Sequence, residues 1–386
     1  MRPLLLLLAL PVVPALAAAQ RAPAADRGAF VVTLGSDTVA AERYTRTATT
    51  LEGDVFQRAP MARVTHYVIT LDRLGHPVRS ETRTRRPDGT PVPNQPTGSM
   101  ITFRGDSALA ELRRADSTRR LAAGGVPAGT LPSVGGSWAI YELVTTGLRA
   151  AGRDSGAVLL WGPGAPKPAV LAIALRGDTA RMDYFGDPMV LRVDRRGRVL
   201  GVDGSRTTNK VRAVRVADVD VAAMAQVFAA RPAMGMPSPT DSVQATVGAA
   251  QVALVYSRPS VRGRTVWGGL LVPYGQVWRT GANAATAFRT SADLVIGGAR
   301  VPAGSYTLYT MPTADRTELV INKQTGQWGT EYKPEMDLVR VPLTAAALST
   351  PVEQFTLAVE PAGAGAALVM RWGDRQYSVP VQVAAP

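Results

Sequence analysis

The chain contains no cysteine and only two histidines, His66 and His76. Without thiols there is no disulfide, no thiolate nucleophile and no thiolate metal site. Neither histidine falls in a metal-ligand spacing such as H-E-x-x-H. His66 alternates within a strand pattern and His76 sits among turn residues, so both read as ordinary strand-face and turn positions. A nucleophile elbow, a phosphate-binding loop and a dinucleotide fingerprint are all missing. Asp218 and Asp220 flank Val219, but a calcium loop needs more oxygen ligands and a glycine-bearing turn, and helix-cap duty explains them better. No catalytic residue, no metal ligand and no cofactor is therefore expected.

Lysine is also scarce, at Lys167, Lys210, Lys323 and Lys333, so the formal net charge of +13 comes from arginine. The arginines are dispersed and aromatics make up only 6%, which argues against a nucleic-acid partner. Such a basic surface is either simply solvated or attracts an anionic component of the cell envelope or an acidic glycan.

Long apolar runs are confined to the start. Arg2 is followed by the leucine-rich run 4–10, then Pro11, Pro14 and the small residues Ala17-Ala18-Ala19. This is the pattern of a signal peptide over 1–19, and it is too short and proline-broken to span a bilayer. The expectation is export to the periplasm or the cell exterior. With no cysteine for lipidation and no later run of about 20 apolar residues, no membrane anchor is expected after cleavage. Across 386 residues, 46% hydrophobic and 19% charged side chains describe globular material, and the length suggests two domains.

From Gly28 to Arg86 the chain reads as an antiparallel meander, clearest in the alternation Val64-Thr65-His66-Tyr67-Val68-Ile69-Thr70-Leu71. Helical spacing of Ile140, Val144 and Leu148 predicts a helix over 137–151, with Ser137 as N-cap and Gly152 as its stop. Strands then return, and Asp220 is placed to cap a second short helix ending before Pro232. Met236-Pro237-Ser238-Pro239-Thr240 has linker chemistry. The expected division is an N-terminal β domain over 28–231, a linker over 232–241 and a C-terminal domain over 242–386. The fold class is mainly β: an N-terminal meander, open to reading as an incomplete barrel, with one or two helices, then a C-terminal β-sandwich.

In the C-terminal part, Tyr256-Ser257-Arg258-Pro259, Trp278-Arg279-Thr280-Gly281-Ala282-Asn283 and Pro302-Ala303-Gly304-Ser305-Tyr306 occur in order, followed by Ile321-Asn322-Lys323 and Trp328-Gly329. With these motifs, residues 243–383 resemble domain-of-unknown-function family 2911. The resemblance implies a fold unit and an exported context, and no reaction.

One cluster within these motifs has the chemistry of a ligand site. Arg258, Arg262, Arg264 and Arg279 offer guanidinium forks for carboxylate, phosphate or sulfate. Trp267 and Trp278 offer stacking faces, and Asn283 both donates and accepts. The competing reading is a scaffold, with the arginines pinned by carbonyls or by Glu335 or Asp337. In the N-terminal part, Trp138, Ile140, Tyr141, Val144 and Leu148 serve either a filled core or an apolar cavity under a lid helix. The overall expectation is a non-catalytic envelope binding or scaffold protein. The alternatives are a periplasmic carrier of a lipid or hydrophobic ligand, and a carboxylate-based glycan hydrolase using acids among Glu318, Glu331, Glu335 and Asp337.

Overall fold

The computed structural model describes residues 25–385, so the signal-peptide pattern lies outside the described residues. Strand takes up 55% of the described residues and helix 7%, which makes the fold mainly β. Two large, open, antiparallel sheets account for it, and neither closes into a barrel.

The first sheet has 15 strands, and the first strand in sequence, Asp26–Leu34, sits in its middle. On one side the chain steps outward strand by strand, through Asp37–Arg46, Thr50–Gln57, Arg63–Leu71 and Pro77–Arg85, as far as Thr118–Gly124. On the other it runs inward from Leu131–Pro132 until Arg212–Val216 pairs with Asp26–Leu34. Only Leu131–Pro132 pairs in parallel. Strand Pro77–Arg85 comes up against Leu131–Pro132 without a ladder between them, so the sheet curls far round yet stays open.

Period-two patterning decides which side chains fill the curl. In Arg63–Leu71, Thr65, Tyr67, Ile69 and Leu71 are buried, while His66 faces outward and bonds Asp54 at 3.0 Å. Phe30, Val32, Tyr44, Leu51, Val55, Tyr67 and Ile69 then form one core with residues of helix α1, Ala139–Ala150. Helix α2, Val221–Ala229, covers Phe56 on the opposite face, and Asp220 caps it by accepting from the Ala223 N–H at 2.9 Å.

The N-terminus of α1 differs from the expectation. Trp138, not Ser137, is the N-cap residue, and no local side chain caps the helix. The Ser137 hydroxyl instead donates to Glu42 at 2.5 Å, and the other Glu42 oxygen accepts from the N–H groups of Trp138 and Ala139 at 2.7 and 3.1 Å. Tyr67 donates a fourth hydrogen bond, at 2.7 Å. A carboxylate nearly a hundred residues away thus does what a local cap ordinarily does, since both satisfy the orphan amides of the first turn. Burial pushes the Glu42 carboxyl above its ordinary range against the opposing effect of these four donors. One turn on, Glu142 is also buried and accepts from Tyr44, Arg215 and the Val199 N–H. α1 is therefore fixed to the inner face by acids from two directions.

Nine strands from Thr240–Val247 to Gly365–Val383 make the second sheet. The 26-residue strand Asp337–Ala362 and the 19-residue strand Gly365–Val383 are bent by register shifts between Ala347 and Thr356. At that bend the sheet folds over, and the first strand packs against the long pair. The expected sandwich is thus built from a single continuous strand order, with Leu254, Phe288, Leu308, Ile321, Phe355, Met370, Trp372 and Tyr377 between its layers. No helix among the described residues is long and apolar enough to cross a membrane.

Candidate functional site

The two sheets meet at the end of the N-terminal curl. The Ser36 N–H donates to the Arg262 carbonyl at 3.0 Å, the Arg262 guanidinium donates to Asp37, and Lys210 Nζ donates to the Leu270 carbonyl at 3.1 Å. Beside this junction lies a cavity of about 460 Å³, within the range of small-molecule sites. Its apolar wall comes from the first sheet and the lead into α1, with Val32, Leu34, Val39, Val134, Ile140 and Leu160 as the main contributors. Its cationic wall comes from Lys210 and from Arg262, Arg264 and Arg279.

Local bonding sets the cationic wall. Trp278 exchanges both backbone hydrogen bonds with Thr310 at 2.8 Å, and the Thr280 and Thr310 hydroxyls meet at 2.7 Å. Thr286 donates to the Thr280 carbonyl at 2.7 Å, and the Trp278 indole donates to the Gly281 carbonyl at 3.1 Å. These bonds hold Thr280 at φ 50° and Asn283 at φ 61°. Positive φ is costly for a β-branched residue such as Thr280 and persists only where the surroundings over-determine it. Lys210 and Arg262 share the same strained region, at φ 55° and 49°. Of six non-glycine residues with positive φ among those described, Lys210, Arg262 and Asn283 line the cavity and Thr280 is next to it. Such concentration of strain is characteristic of functional sites.

The arginines separate into two kinds. Arg258 is fully occupied, donating to the Phe355 carbonyl, Asp241 and Thr356 at 2.9 to 3.1 Å, and does not line the cavity. Arg262 lines it, but Asp37 neutralises its charge. Arg264 donates only to the Val261 and Ser260 carbonyls, and Arg279 only to the Asn283 carbonyl. Burial depresses the pKa of both guanidiniums. Lys210 is lowered to about 8, first by burial and then by the positive charges of Arg279 and Arg264, with Asp187 acting in the opposite direction.

The remaining predicted site residues are divided. Trp278 is buried but contributes to the wall, stacked 5.6 Å from Trp372. Trp267 belongs to the core, its ring 4.6 Å from Tyr377 and its indole N–H bonded to the Trp372 carbonyl. Asn283 is exposed at the rim, with long 3.4 Å bonds to the Ser238 carbonyl and the Ser257 hydroxyl. Asp337 does not pin the arginine loop; it bonds Asn322, Tyr332 and Arg340. Gly329 packs on the side chain of Arg279 and donates to the Asn283 carbonyl at 3.1 Å, so the 328–329 turn backs the cationic wall. Sequence reasoning missed Lys210, Asn209 and Tyr184, which the hairpin loop 204–211 and its neighbour bring to the cavity. Lysine scarcity is the one signal in the sequence, and it marks Lys210 no more than Lys167, Lys323 or Lys333.

The C-terminal wall of the cavity lies in the part of the chain that matches a family model. Residues 238–381 match the family of proteins of unknown function DUF2911. The DUF2911 segment supplies Arg262, Arg264, Trp278, Arg279 and Asn283, while Lys210 and the apolar wall lie outside it. No curated protein matches the chain. Among solved structures, a DUF1089 family protein from Pseudomonas aeruginosa is 14% identical, with 43% of this chain and 89% of that chain covered at a TM-score of 0.29. A β-barrel-like protein of DUF1849 from Brucella abortus is 12% identical, with 49% and 93% covered at a TM-score of 0.29. Similarity this low carries no argument about function.

Proposed function

We propose that this chain is an exported, non-catalytic binding protein that holds a hydrophobic small molecule between its two sheets. The observation behind this reading is the cavity of about 460 Å³, whose deep wall is the apolar end of the curled sheet and α1. Packed cores rarely leave space of this size, because interiors are filled to near-crystalline density. A cavity with an apolar wall and a few polar groups is the ordinary form of a small-molecule site. The cavity wall carries no Asp, Glu or His among the described residues. A carboxylate-pair hydrolase therefore finds no support there.

The reading is tested by titrating the purified chain with N-phenyl-1-naphthylamine, an apolar dye that brightens out of water. Saturable binding displaced by dodecan-1-ol supports it. Leu160→Trp, which fills half-buried space on the wall, is expected to abolish the signal without loss of the folded spectrum. Absence of saturable binding by the unaltered chain, or undiminished binding in Leu160→Trp, overturns it.

A further inference from the structure

The cationic end of the cavity has a chemistry that an apolar ligand leaves unused. We propose that Lys210, Arg264 and Arg279 form an oxyanion site, so that the ligand is a single-chain amphiphile with a carboxylate or phosphate head and an apolar tail along Val32, Val39, Ile140 and Leu160. This rests on reading the cavity as a binding site, and adds to it the charge of the ligand.

Charge accounting is the first argument. Arg258 is matched by Asp241, Arg262 by Asp37 and Arg215 by Glu142. Lys210, Arg264 and Arg279 are half-buried, yet their hydrogen bonds all go to neutral carbonyls. No carboxylate pairs directly with any of the three: Asp187 acts on Lys210 and Arg279, and Glu353 and Asp37 on Arg264, only from a distance, so half-buried charge is left incompletely matched. The pKa of Lys210 is depressed first by burial and then by Arg279 and Arg264, with Asp187 opposing. An oxyanion placed among them restores the lost interaction through charge-assisted hydrogen bonds.

Unused donors are the second argument. Among the described residues, four buried side-chain polar atoms lack any hydrogen-bond partner, and two of them, Trp138 Nε1 and Arg262 Nε, belong to residues of the cavity wall. Both are donors, and buried donors are normally satisfied. Backbone geometry is the third. Lys210 sits in a strained left-handed conformation at the end of a loop closed by buried Thr207, whose hydroxyl donates to the Gly204 carbonyl at 2.7 Å. Lys210 and Arg264 also line an adjoining cavity of about 360 Å³. Lys210 and Arg264 therefore stand where two hollows meet, with room for a hydrated head beside the apolar wall.

The test is isothermal titration of the full chain at pH 7 with dodecanoate, dodecyl phosphate and dodecan-1-ol, each below its aggregation limit. At least one anion is expected to bind about tenfold or more tighter than the alcohol, and the tighter of the two identifies the head. Lys210→Gln and Arg279→Gln are expected to remove that advantage while alcohol binding stays, and Arg279→Lys to restore part of it. Equal binding of anions and alcohol, or an anion preference untouched by these substitutions, overturns the oxyanion site and leaves the cavity reading standing. Failure of all three ligands to bind overturns both.

Discussion

Asp37 and Arg262 form an ion pair across the junction of the two sheets, although 225 positions separate them in sequence. Arg58 approaches the other Asp37 oxygen at 3.6 Å, and the adjacent backbone bond from Ser36 to the Arg262 carbonyl doubles the link. Removing the acid leaves the largely covered Arg262 charge unmatched, a situation that costs more than loss of a surface pair. Asp37→Ala is expected to cost about 2 kcal/mol. Urea unfolding followed at two spectroscopic probes checks it, and an unchanged midpoint refutes the role assigned to the pair.

Gly35 is a point of close approach in the same junction. It sits at φ +62°, and a Cβ there would run into the carbonyl and side chain of Arg262. Gly35→Ala therefore combines a backbone penalty with a collision between the sheets, expected at about 1–3 kcal/mol. Faster hydrogen exchange at the Ser36 amide, with exchange in Tyr67 and Ile69 unaltered, is the expected signature of local loosening.

Glu42 seats helix α1 through four donors. Glu42→Ala leaves buried donors unsatisfied at Tyr67, Ser137, Trp138 and Ala139, so a loss of about 3 kcal/mol or more is expected. Because α1 carries Ile140 and Tyr141 of the cavity wall, dye binding is expected to weaken in the same variant. Full binding with a helix of lowered stability contradicts the coupling.

Gly329 offers a way to disturb the cationic wall without removing a charge. A Cβ at this position would meet the Arg279 side chain and, at 2.7 Å, the Asn283 carbonyl. Gly329→Ala is expected to weaken anion binding about tenfold while leaving dodecan-1-ol binding within twofold, on about the same scale. Calorimetry with both ligands decides it.

Stability, and with it the proposed anion binding, is expected to depend on pH through Lys210. Its folded pKa is lowered to about 8 from 10.5. Between those values the unfolded chain holds more protons than the folded one, so stability is expected to rise with pH across that window. Anion affinity is expected to move the opposite way, falling as Lys210 loses its charge above pH 8. Lys210→Met is expected to flatten both trends, and a wild-type profile identical to that of the variant excludes the assignment.

Much of the fold is legible from local chemistry. The alternation of Thr65, Tyr67, Ile69 and Leu71 is a direct consequence of the strand's two-residue period. Asp220 caps α2 through its own neighbour Ala223, and Gly152 closes α1 at φ +62° with its N–H on the Arg149 carbonyl. Arg258, Arg262, Arg264, Trp278, Arg279 and Asn283 could be picked out because they lie within a few short motifs. The structure brings Arg262, Arg264, Trp278, Arg279 and Asn283 to one cavity, whereas Arg258 ties strands and Trp267 fills core.

What decided the rest was contact between distant segments, which no window of sequence contains. Glu42 reads as an unremarkable strand residue until Ser137 and Trp138 fold onto it, and Ser137 reads as a cap until that acid takes its hydroxyl. Asp337 reads as a candidate partner for the arginine loop, yet Tyr332, Asn322 and Arg340 claim the carboxylate. Absent cysteine and scarce histidine excluded whole classes of chemistry from composition alone. Whether three scattered cations become a site depends on which of them finds a carboxylate within reach. That is a matter of Coulomb energy at short distance in a poorly solvated place, and only the packed chain sets those distances.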